Sequence, residues 1–154
     1  MRIVGEGPAT VLFPSMFVDG TTWDRLVPLL SGRRLIIVDG PGLGGSSPLE
    51  RRASIAEAAE AAAELLAGLR GAGWMPEGPV DWVGNAFGGH VGYELAVRPG
   101  VLRTLVAISA PVEAVPPALR RRIRVLHPIL RLLGPVGIVR DAVVSTMLTD
   151  AAAA

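Results

Sequence analysis

Apolar residues fall along the chain in two alternating patterns. Short continuous runs occur at Ala9-Thr10-Val11-Leu12-Phe13 before Pro14, Arg34 to Val38, Pro79 to Val83, and Leu102 to Ala110. Their length and β-branched content predict strands covered on both faces. Helical spacing fills the gaps. Trp23, Leu26, Val27 and Leu30 recur at i, i+3, i+4 and i+7 after Thr21-Thr22 and before Ser31-Gly32, which predicts a two-turn amphipathic helix. Ser54 and Glu57 form a capping box that opens a second helix with Ile55, Ala59, Ala62, Leu66 and Leu69 on one face, ended by Gly68, Gly71 and Gly73. A third, small-residue helix is predicted from about Phe87 to Val97, stopped before Pro99-Gly100. Repeated strand–helix units predict an α/β fold, a mostly parallel sheet with right-handed crossovers and helices on both faces.

The pattern changes at Pro111. From Pro117 the sequence is helical, with Leu119, Ile123, Leu126, Leu130 and Leu133 as its apolar stripe and Pro128 as a kink. A shorter helical stretch, Val136 to Leu148, follows Gly134-Pro135, and no strand comes after it. The chain therefore reads as a core over residues 1–115 and a helical excursion over 116–154.

Composition removes several function classes. Half of the 154 residues are hydrophobic, enough for a packed core and too many for a disordered chain. Fifteen arginines against 14 acids give a net charge of +1, so no overall field steers the chain toward nucleic acid. The absence of cysteine excludes disulfides, thiolate metal sites and a cysteine nucleophile, and fits a reducing cytoplasm. The first residues lack the form of a secretory leader, and Thr104 to Val112 is half the length of a bilayer span. A soluble, cytoplasmic protein is expected.

Two glycine patterns suggest nucleotide binding and fail on context. Gly40-x-Gly42-x-x-Gly45 follows a strand, but its helix opens only at Ser54, too late for a helix N-terminus to meet a pyrophosphate. Gly84-x-x-x-x-Gly89 has phosphate-loop spacing, with His90-Val91 where Lys and Ser or Thr are required. No cofactor or metal is expected. Gly84-Asn85-Ala86-Phe87-Gly88 is more informative, because it lies between a predicted strand and a predicted helix with the G-x-x-x-G spacing of a nucleophile elbow.

That turn, with Val11 to Met16, Trp23 seven residues later and the loop Asp39-Gly40-Pro41-Gly42-Leu43-Gly44-Gly45-Ser46, resembles the α/β-hydrolase fold family from about Ile3 to Pro111. Residues after 116 resemble the start of that family's lid. The resemblance implies hydrolysis of a small ester, amide, epoxide or related bond, with the substrate held under the lid. It also marks departures. The nucleophile position holds Ala86, whose methyl group cannot attack a carbonyl. Pro14-Ser15 stand where the oxyanion loop usually begins with His-Gly, yet that hole is built from backbone N–H groups, which the resemblance places on Met16 and Phe87. The family's acid and histidine follow the lid, and this sequence ends at Asp150 and four alanines.

The expectation is thus a hydrolase-like chain, a fragment or pseudoenzyme, that is not catalytically competent as it stands. The alternative is a non-catalytic binding or interaction module on the same sheet. Ser15 and Asn85 are the candidate polar contacts for a small-molecule ligand. Asp39 is read as holding its loop. His90, one turn past Ala86, is read as a helix-face histidine bonded locally, with a side chain reaching the site as the alternative; His127 is read as surface. The strand Leu102–Ala110 forms an open apolar sheet edge, a site for self-association. Light scattering is expected to show concentration-dependent association, and a monomer at high concentration would contradict it.

Overall fold

The computed structural model describes residues 1–51 and 53–114, and beyond them residues 116–118, 120, 121, 124, 128 and 137. The chain divides into two compact units, Met1–Pro111 and Val112–Ala154. The first contains β1 (Arg2–Val4), β2 (Ala9–Phe13), β3 (Arg34–Ile37), α1 (Ile55–Gly71), β4 (Val80–Asn85), α2 (Phe87–Ala96) and β5 (Leu102–Ile108). The sheet order is β1-β3-β2-β4-β5. β1 pairs antiparallel with β3, and the other pairs are parallel. In the second unit the Arg120 N–H bonds the Pro116 carbonyl at 2.9 Å. His127 and all five residues of the expected lid stripe lie outside the described residues.

The two-residue period of the strands sorts their side chains onto two cores. Val11, Phe13, Ile36, Val80 and Trp82 pack with Ala59, Ala62, Leu66 and Leu69 of α1 and Val91 and Leu95 of α2. Leu12, Leu35 and Ile37 face the other way, against Trp23, Leu26, Val27 and Leu30. Every residue of β2 is buried, because β2 has a strand on each side and a helical layer on each face. Full burial of a side chain such as Leu12 or Ile36 stabilises by about 1.5–3 kcal/mol.

Local details differ from the sequence reading in ways that have physical causes. The expected amphipathic helix at Trp23–Leu30 is two 3₁₀ turns, Gly20–Trp23 and Val27–Leu29. An α-helix there would require the missing N–H of Pro28 to bond the Asp24 carbonyl. Its N-cap is Asp19, whose carboxylate accepts from the Thr21 N–H at 2.9 Å, rather than either threonine. β1 was not anticipated, since three residues carry no readable period. The capping box of α1 is present: Ser54 N–H donates to Glu57 Oε2 at 2.8 Å, and Glu57 N–H donates to Ser54 Oγ at 3.2 Å. That helix runs through Gly68 to Gly71 before it stops.

One polar cluster joins β4, β5 and the residue just before β3. Asp81 of β4 is buried and accepts from Arg33, from Arg103 Nε at 2.9 Å and from Thr104 Oγ1 at 2.7 Å. The Arg103 guanidinium, aided by Thr104 and Arg33, holds the Asp81 carboxyl well below the usual carboxylate range. Burial opposes this and loses. The unfolded chain titrates near the ordinary value of about 3.9. The stabilisation is therefore complete above that value and is lost as pH falls through the lower folded pKa. Asp81→Asn is expected to cost about 1–3 kcal/mol at pH 7, moderated by the half-exposed arginines, and to flatten the acid limb of stability against pH measured by urea unfolding. An unchanged acid limb would contradict the assignment.

Candidate functional site

β4 ends at Asn85 and α2 begins at Phe87, leaving Ala86 alone to turn the chain. Ala86 has φ 48° and ψ −106°, a conformation that an L-residue adopts only under constraint. Its N–H is fixed by the Ile108 carbonyl at 2.8 Å, and its carbonyl accepts from the N–H groups of Gly89 at 3.0 Å and His90 at 3.1 Å. The two glycines around it are required by proximity. A Cβ at Gly84 would lie 2.2 Å from the Gly88 carbonyl carbon, and one at Gly88 would lie 2.4 Å from the Phe13 carbonyl oxygen. β2, β4 and α2 therefore meet backbone to backbone. Trp82 locks the junction by donating Nε1–H to the Gly88 carbonyl at 2.9 Å, while its ring stacks on Phe13 with centroids 5.3 Å apart.

Beside this junction lies a cavity of about 290 Å³. Its walls include Phe13 at the end of β2 and Met16 beyond it, Val38 after β3, Phe87 at the start of α2, and Ala58, Ala61, Ala62 and Leu65 of α1. The structure thus brings together Met16 and Phe87, which are far apart in sequence. Among the described residues neither backbone N–H donates to a carbonyl outside its own element, and that of Phe87 precedes the hydrogen-bond ladder of α2. Ser15 and Asn85 are half-buried neighbours of these two residues in the chain, but neither side chain lines the cavity. The cavity wall on α1 was missed in the sequence. Its only trace is the run of alanines at positions 58, 61 and 62, which also reads as ordinary helix former.

Two carboxylates border the cavity, Asp39 and Glu57. Asp39 accepts from the N-terminal ammonium at 2.9 Å, Gly20 N–H at 2.9 Å and Gly45 N–H at 3.2 Å, and these bonds hold its carboxyl below the usual range against the cost of burial. It braces the loop that follows β3, and Ser46 Oγ donates to its backbone carbonyl. Glu57 is lowered to about 2 by the Ser54 N–H, Arg51 and the Ser54 hydroxyl. His90 packs edge-on against Tyr93, ring centroids 5.9 Å apart, and Tyr93 donates to the Ala110 carbonyl at 2.9 Å.

Residues 10–153 match the model of the Alpha/beta hydrolase family. No curated protein matches the chain by sequence. Solved structures share its fold. A thermophilic esterase from Thermogutta terrifontis is 21% identical with a TM-score of 0.76, the match covering 97% of this chain and 54% of the esterase. A hydrolase from Pseudomonas aeruginosa PA01 is 23% identical with a TM-score of 0.67, covering 99% and 63%. An epoxide hydrolase from Vigna radiata is 23% identical with a TM-score of 0.63, covering 86% and 42%. The chain spans about half the length of these structures.

The backbone at position 86 makes a direct prediction. Ala86→Gly is expected to stabilise the fold by about 1 kcal/mol in urea unfolding, because relief of a strained L-residue outweighs the entropy glycine adds to the unfolded chain. Gly88→Ala is expected to destabilise by about 2 kcal/mol or more through overlap with the Phe13 carbonyl. A destabilising Ala86→Gly would contradict the strained geometry.

Proposed function

Because the chain belongs to the alpha/beta hydrolase family, we propose that it binds a small carbonyl compound at the bend over Ala86 and forms no covalent intermediate there. The observation that carries this reading is the strained turn itself, kept in full while its side chain is a methyl group. The N–H groups of Met16 and Phe87 are the donors to the carbonyl oxygen, at a cleft lined mostly by apolar side chains, where backbone donors are worth more than in water. Ser15 and Asn85 adjoin these two donors in the chain, with their side chains outside the cavity lining.

The solved structures named above include an esterase and an epoxide hydrolase, and a lactonase complexed with N-butanoyl homoserine is also similar in fold. An ester, lactone or related small carbonyl compound is the ligand class these neighbours support. Hydrolysis by a serine-type mechanism is a different matter. Removing a serine nucleophile costs on the order of 10⁶ in turnover, with roughly 10³–10⁴ over water left to the oxyanion hole and binding. Ala86 stands at that loss, so binding is the reading favoured over turnover, and whatever rate remains arises from polarisation of the carbonyl alone.

The test is p-nitrophenyl acetate in stopped flow, with intact-mass analysis of the protein. Linear release without a burst and an unchanged mass are expected. A burst stoichiometric with protein, or a persistent acetyl adduct, would overturn the proposal.

A further inference from the structure

An apolar row crosses the sheet and runs off it at one side. Ile37, Leu12, Val83 and Val106 are in register across β3, β2, β4 and β5. Ile37 and Leu12 are buried and Val83 is half-buried, while Val106 is 50% exposed. Ile108, two residues further along the same face, is 42% exposed. The other face of β5 is covered: Leu105 packs against the core under α2, and a Cβ added to Gly92 of α2 would lie 2.6 Å from Leu105 Cδ1. Among the described residues β5 pairs with β4 alone, so it is an edge of the sheet. The same alternation sorts its backbone polar groups. The Ile108 carbonyl accepts from the Ala86 N–H. Ile108 and Val106 therefore turn their N–H and C=O groups to β4, and Leu105 and Ala107 turn theirs outward. The two edges of the sheet are unlike. β1, at the far side, has three residues and begins with Arg2, which is paired with Asp24. β5 has seven, and its one charged residue, Arg103, is drawn back to Asp81. From Thr104 to Ile108 it has no charge, proline or bulge to deter pairing.

We infer that β5 is an interface whose occupant is β5 of a second copy of this chain, antiparallel, with the two-fold axis at Val106. The strand is self-complementary in that register. The Val106 side chains of the two copies face each other, and Thr104 lies opposite Ile108 of the second copy. Leu105 exchanges two backbone hydrogen bonds with Ala107 of the second copy, and Ala107 does the same with Leu105. Arg103 falls opposite Ser109, so no like charges meet across the axis. The row of Ile37, Leu12, Val83 and Val106 then continues unbroken into the same four residues of the second copy in reverse order. Other registers are poorer. An axis at Leu105 sets Val106 against Thr104, and an axis at Ala107 shortens the overlap of the two strands.

The experiment is sedimentation equilibrium on the full chain, with amide hydrogen exchange read by NMR. The weight-average mass is expected to rise from one chain toward two between micromolar and near-millimolar protein. The Leu105 and Ala107 amides should gain protection as concentration rises, while those of Val106 and Ile108 are protected throughout. Val106→Lys and Val106→Glu, made at a half-exposed position, each set like charges face to face across the axis and should weaken association at least about tenfold. Mixing the two variants should restore it, an outcome that a loss of folding cannot give. Four results would overturn the inference. These are the mass of a single chain at every concentration, association untouched by both substitutions, a mixture that stays monomeric, and Leu105 and Ala107 amides equally protected at all concentrations. The last is what a segment of the same chain lying on the edge would produce.

Discussion

The structure depends on one close approach of backbone to backbone. At the top of the sheet β2, β4 and α2 converge so tightly that positions 84 and 88 have no room for a Cβ, and Trp82 fills the remaining space while bonding the Gly88 carbonyl. That convergence forces the chain to reverse within a single residue. Ala86 absorbs the reversal at positive φ, and its N–H is pinned to the end of the neighbouring strand β5. Strain of about 1–3 kcal/mol at such a position persists only because the surroundings over-determine it.

The consequence is a platform with a particular electrostatic character. Helix α2 starts immediately after the bend, so the Phe87 N–H has no partner within the helix, and the segment after β2 brings Met16 to the same cavity. Asp39 fixes the opposite rim by gathering the N–H groups of Gly20 and Gly45, and the capping box of α1 fixes Glu57 nearby. Donors, apolar wall and carboxylate rim are thus set by elements that each form for local reasons. Nothing in this arrangement needs a hydroxyl at position 86. The turn keeps its shape with a methyl group there, and the proposed binding role rests on that shape alone.

Much of this was legible in the sequence because the relevant signals are short-range. The apolar runs of β2 and β3, the Ser54–Glu57 box and the glycine pair at 84 and 88 each carry their own local cause, and the family resemblance drawn from them matches the family assignment over residues 10–153. What failed was also local. Trp23, Leu26, Val27 and Leu30 have helical spacing, but Pro28 removes a ladder donor and the segment settles for 3₁₀ turns that bury the same face. The Asp81 cluster and the cavity under α1 left no comparable trace. They join residues separated by dozens of positions, and neither a lone aspartate in a strand nor alanines in a helix announce a partner.

A crystal structure of the chain with a small neutral amide, acetamide, as the probe tests the central claim most directly. Ala86 is expected at positive φ, with the intact probe's carbonyl oxygen within about 2.7–3.2 Å of the Met16 and Phe87 nitrogens. A relaxed, negative φ at Ala86, or a probe seated away from both nitrogens, would contradict the account.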